Sequence, residues 1–166
     1  MYQVLLLTMP LLMIAAAISD IQRHIIPNSI CIALAITGLC VVALSGMHWL
    51  DALKQLGVGA AALVIGFLLF VFGVWGGGDG KLIAAGALWF DPSAALTFLI
   101  YTLLAGGAVA LIGLAAYFFR VMLWRIPSLR ALPIERWREV TPYAVGIAIG
   151  AIAAFPNATL YSIGFP

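Results

Sequence analysis

Ionisable side chains are scarce in this chain. Of 166 residues, Lys and Arg together supply 8, Asp and Glu 6 and His 2, so 8% of the sequence is charged against 65% hydrophobic. That balance excludes an ordinary soluble domain and points to the membrane class. The shortage also removes several chemistries. No His-Glu-x-x-His is present to hold a catalytic zinc, and no Gly-x-Ser-x-Gly offers a serine nucleophile. The Gly80-Lys81 pair does not close a phosphate loop, because Trp75 stands where the first glycine belongs and Leu82 replaces the Ser or Thr. No Gly-x-Gly-x-x-Gly fits the same cluster in any register. No cofactor, metal or nucleic acid is expected. The two cysteines, Cys31 and Cys40, are separated by about 13 Å of helix, beyond disulfide reach, and read as small packing residues.

What the chain has in quantity is apolar runs. An all-α fold is expected, a polytopic integral membrane protein with six transmembrane helices in which residues 1–166 form one domain. At about 20 residues per crossing, almost nothing remains for a separate soluble part. Met1-Tyr2-Gln3 carries no basic residue and no small-residue cleavage site follows the first run, so that run reads as a retained span. The expected spans are 4–18, 28–44, 56–75, 82–90, 93–119 and 140–155. Pro27 suits the start of the second. A polar turn holding His48, Asp51 and Lys54 precedes the third, and Asp91-Pro92 stops the fourth.

The fourth run is short, rising only about 15 Å over 81–90, half the hydrocarbon thickness. It either re-enters or starts deep in the membrane, and the basic residues decide between these. If it crosses, Arg23, Lys81, Arg120, Arg125, Arg130, Arg136 and Arg138 share one side, with Lys54 opposite. A re-entrant piece would break that bias. Six crossings with both chain ends outside are therefore expected. The loop 120–139, with Trp124, Pro127, Pro133 and Trp137, reads as an interfacial topology anchor.

In this arrangement Asp20 and Asp79, remote in sequence, fall at the same membrane face. Asp79 lies in Trp75-Gly76-Gly77-Gly78-Asp79-Gly80-Lys81, between long apolar runs where an ionised group is costly. Glycines around one acid suit a site that receives another chain, although a plain connector between helices has the same composition. Two carboxylates sharing a site do not both ionise cheaply, so one keeps a proton while the other acts as a base. In amide hydrolysis the ionised member deprotonates water and the protonated one polarises the carbonyl. His24 reads as an interfacial residue rather than a partner of Asp20. Lys81 either tunes Asp79 or extends to the surface.

Gly76-Gly77-Gly78-Asp79-Gly80-Lys81-Leu82 contains Gly-x-Gly-Asp-x-Lys-Leu, and Ser19-Asp20 is followed by Arg23 and Ile26-Pro27-Asn28. Together these resemble the type IV prepilin peptidase family of membrane aspartic proteases. Thr141-Pro142-Tyr143-Ala144-Val145-Gly146 is similar to that family's Pro-Tyr-Gly segment, with Ala144 where glycine is usual. The resemblance implies that Asp20 and Asp79 are the catalytic pair. Gly76, Gly78, Gly80, Lys81, Pro27, Asn28, Pro142 and Tyr143 are then expected to bind substrate or shape the site. It further implies a prepilin or pseudopilin substrate whose short basic leader is cut at the cytoplasmic face of the bacterial inner membrane. The paired-cysteine region of the family's larger members is not seen, so the chain is similar to the compact Flp-type (tight-adherence) form, with cleavage expected without methylation. The Gly-x-Gly-Asp element is also similar to that of presenilin-like proteases, whose usual span count this chain is too short to hold.

Two other classes compete with an endopeptidase. A small proton-relay or transport protein needs ionisable groups in its span centres, and none lies there. A scaffold subunit of a secretion machine leaves both aspartates dispensable.

Overall fold

The computed structural model describes residues 2–124 and 142–165, and all regular structure among them is helical. The order is α1 (Tyr2–Leu6), α2 (Thr8–Arg23), α3 (Asn28–Leu44), α4 (Trp49–Val71), α5 (Gly77–Ala87), α6 (Pro92–Trp124), α7 (Tyr143–Ala154) and α8 (Thr159–Gly164). A 3-10 turn, Phe155–Asn157, joins the last two. Arg125, Arg130, Arg136 and Arg138, with Pro127, Pro133 and Trp137 of the expected anchor loop, lie outside the described residues.

Three helical stretches are long and apolar enough to cross a membrane: Tyr2–Arg23, Trp49–Val71 and Pro92–Phe119. Asn28–Leu44 and Tyr143–Asn157 are apolar but shorter, and α5 has 11 residues. At 33 residues, α6 exceeds the roughly 20 that one crossing takes. Apolar side chains cover much of the outer surface, with Leu104, Leu111 and Ile112 of α6 exposed. Such a surface suits lipid rather than water.

The core forms around α7, whose small residues let neighbouring helices approach closely. Ala144, Ala148, Ala151 and Ala154 are buried there, and α7 packs against both α2 and α6. At Gly146 an added Cβ would strike the main chain of Gly106, so α6 and α7 meet backbone to backbone. Beyond α5 the chain dives inward. Trp89 is fully buried and donates its indole N–H to the Leu34 carbonyl at 3.0 Å, and Phe90 stacks on Phe98 with ring centroids 4.8 Å apart. The first helix is tied to the last, since the Tyr2 hydroxyl donates to the Leu160 carbonyl and the Gln3 amide to that of Gly164.

Three local readings change. His48, Asp51 and Lys54 do not form a turn before the third helix. His48 caps α4, its Nδ1 accepting from the Leu50 N–H, and Asp51 pairs with Lys54 on the exposed first turns. The helix therefore starts earlier than its apolar stretch, because capping and one ion pair satisfy a polar first turn. The glycine cluster is not a connector either. The reversal uses Gly73 at φ 71°, and α5 begins inside the cluster with Gly76 as its N-cap. Finally, Cys31 is buried as expected of a packing residue, but Cys40 is exposed on the opposite face of α3 and packs against nothing in the core.

Candidate active site

The site is assembled by the loop after α2 folding onto the start of α5. Asp20 lies in the last turn of α2 and is 8% exposed. That helix stops at His24, which takes the left-handed conformation at φ 52° and returns its N–H to the Asp20 carbonyl at 2.9 Å. The Ser19 hydroxyl donates across the turn to the Ile25 carbonyl. The chain then extends through Pro27, the N-cap of α3, leaving Ile26 buried against Gly78. A Cβ on Gly78 would sit 3.4 Å from that of Ile26. Through this contact the segment following one acid rests on the residue preceding the other.

Asp79 is half-buried in the first turn of α5. Its Oδ2 folds back over Gly76, where an added Cβ would come within 2.9 Å of it. The Asp20 and Asp79 carboxylates are near enough for their charges to interact. Asp20 Oδ2 accepts a hydrogen bond from the Ala144 N–H at 3.0 Å, which anchors it to the start of α7. Asp79 has no side-chain hydrogen bond among the described residues, so the two acids are held differently.

The remaining expected site residues fall into two groups. Gly76, Gly78 and Pro27 line the junction just described. Gly80 faces away from it, against Gly66 of α4, where the two backbones come within about a side chain's radius of each other. Lys81 is exposed and donates to the Asn28 Oδ1 at 3.2 Å, linking the starts of α5 and α3. Pro142 is the N-cap of α7. Tyr143 follows it with its side chain exposed, so its contribution is its place in the first turn of α7.

Sequence reasoning did not find Ala144 as the partner of Asp20. The bond uses a main-chain donor, which every residue but proline carries, so residue type gives no signal there. Gln55, 1% exposed, was missed as well: its side-chain amide caps the end of α5 by donating to the Leu88 carbonyl at 2.9 Å, a main-chain acceptor that residue type does not reveal.

A model of the type IV leader peptidase family matches residues 7–111. The chain belongs to that family. The matched stretch contains Asp20, the Ile26-Pro27-Asn28 turn and the whole glycine cluster with Asp79, and it ends before α7. The junction of the α2 turn with α5 thus lies entirely within the part shared with leader peptidases, while the donor on Ala144 comes from beyond it. No curated protein and no solved structure matches the chain. Family membership makes this chain a leader-peptidase-like protease.

Proposed function

We propose that this protein is a membrane aspartic endopeptidase that removes the short basic leader from type IV, Flp-type prepilins or pseudopilins. The observation that carries the reading is the meeting of two sequence-distant acids at one junction, with Ile26 resting on Gly78 and Asp20 within electrostatic range of Asp79. Water attacks the scissile carbonyl. Asp20, fixed by the Ala144 N–H, is the proton acceptor, and Asp79, without a side-chain hydrogen bond among the described residues, carries the proton that polarises the carbonyl and then passes to the leaving amine. Proton exchange within the pair resets the site, because two adjacent carboxylates titrate as a unit. Neither metal nor cofactor enters this chemistry.

The chain crosses the bacterial inner membrane six times and presents this junction to the cytoplasm. The long α4 and α6 span fully, and α5 starts below the surface. Support comes from the basic residues: Arg23 ends α2 and Lys81 opens α5, at the same end of the bundle as both acids. A leader retained in the cytoplasm ahead of an apolar helix would offer its scissile bond at that height.

The test is leader removal from a co-expressed precursor. Asp20→Asn and Asp79→Asn are each expected to abolish cleavage with the protein accumulating normally in membranes. Either variant cutting at the wild-type rate would refute the paired-acid mechanism and favour a scaffold or transport role.

A further inference from the structure

We infer that the trough between α3 and α4, floored by α5, is the docking groove for the apolar helix that follows the scissile bond of the substrate. This rests on the endopeptidase reading and adds to it a place for the part of the substrate that is not cut.

Although α3 and α4 are consecutive, α5 lies between them and packs against both. The gap left above it has a volume of about 560 Å³. Its walls come from Ile32 and Ala35 on one side and Ala60 and Leu63 on the other, with Ala84 and Ala85 as the floor. From Asn28 to Leu39, which both line it, the α3 wall rises about 17 Å, the height of roughly three helical turns. The alanines on both walls and along the floor permit close approach of another helix.

The groove is polar at one end only, where Asn28 and Lys81 stand. That end lies at the start of α5, two residues along the helix from Asp79. Asp79 and Lys81 stand two residues apart at the start of α5, about 200° apart around its axis. A chain laid across the start of α5 passes Asp79 on one side and enters the groove on the other. The Lys81 ammonium gives one N–H to Asn28 and has further donors for a carbonyl of the extended segment that a peptidase must reach. A substrate with a polar leader, a cleavable bond and then an apolar helix matches this order of features: acids, polar mouth, apolar trough. A closed lipid site would not need its mouth beside the acids, and a second copy of the chain would obstruct them.

Ala60 is exposed, so a large side chain there fills the groove without entering the core, and its exposed neighbour Ala61 is absent from the lining and serves as control. Cleavage is measured in membranes on two co-expressed precursors, one complete and one truncated a few residues beyond the scissile bond. Ala60→Trp is expected to slow cutting of the complete precursor by about tenfold or more, with Ala61→Trp near wild type. The truncated precursor is expected to be cut slowly and equally by all three. A photo-reactive residue at position 60 in the Asp79→Asn background should crosslink to the complete precursor. Equal cutting of the complete precursor by Ala60→Trp and wild type, or a crosslink only to lipid or to a second copy of this chain, would overturn the inference while leaving the peptidase reading intact. A wild-type chain that cut neither precursor would sink both.

Discussion

The main-chain N–H of Ala144 donates to Asp20 Oδ2 across 3.0 Å, joining two positions 124 residues apart in the chain. Ala144 is fully buried. The bond attaches the last turn of α2 to the first turn of α7, and α7 in turn packs on α6. An acid on α2 is thus oriented by the opposite end of the sequence, from a segment beyond the part matched to leader peptidases.

Removing this donor should impair catalysis without removing either acid. Proline is tolerated in the first turn of a helix and has no N–H, so Ala144→Pro deletes the bond while α7 can still form. A hydrogen bond to a charged group is worth about 1.5–3 kcal/mol, so cleavage is expected to fall roughly tenfold to a hundredfold. Ala144→Gly keeps the N–H and should retain most activity. Initial rates of leader removal at matched protein levels check both, and an active Ala144→Pro protein would mean that Asp20 needs no anchor.

The contrast between Asp20 and Ala144 marks how far the sequence could be read. Both aspartates, their flanking motifs and the helical class follow from residue types at given spacings, which reflect local chemistry. The start of α3 at Asn28 was legible because Pro27 fixes its own φ. The start of α5 was not. Four glycines predict a connector by propensity, yet tertiary contact holds the last three helical, with Gly80 lying on Gly66 and Gly77 against Phe70. Helix α8 escaped notice because its six residues carry too little periodicity, and it is tied down by Tyr2 and Gln3. Exposed Cys40 shows the limit from the other side. In a chain bathed in lipid an apolar position need not be a core position, so hydrophobicity alone does not say which face packs.

The seam between α4 and α5 should be intolerant of bulk. An added Cβ at Gly66 would lie 3.2 Å from the Gly80 Cα and 3.3 Å from its carbonyl oxygen, both main-chain atoms that cannot swing aside. Gly66→Leu is expected to cost about 1–3 kcal/mol and to displace the turn bearing Asp79. Both the unfolding midpoint in detergent and the cleavage rate should drop. Gly57, on the same helix with nothing within 4 Å of its added Cβ, supplies the comparison, and Gly57→Leu should leave both near wild type. Equal effects at the two positions would show that the close approach is not what limits Gly66.

At the start of α6, Asp91 links two helices through its carboxylate. Oδ2 accepts from the Ser93 hydroxyl, from the Ser93 N–H at 3.2 Å and from the Ala94 N–H at 3.3 Å, while Oδ1 accepts from Thr159 at the start of α8. Burial pushes this carboxyl upward, but the hydrogen bonds from Ser93, Thr159 and Ala94 together outweigh it and hold it below the ordinary carboxylate value. A folded value below the unfolded one, about 3.9, means the charge stabilises the fold fully above that pH and loses its effect as pH falls through the folded value. Asp91→Ala removes an N-cap as well as the charge and should cost about 1 kcal/mol at neutral pH, a drop of roughly 2–4 °C for a chain of this size. The gap between variant and wild type should narrow as the pH is taken below about 4. Thermal unfolding in detergent at pH 7 and at acidic pH measures it, and a gap that stayed constant would show that the neutral carboxyl suffices to cap α6 and hold α8.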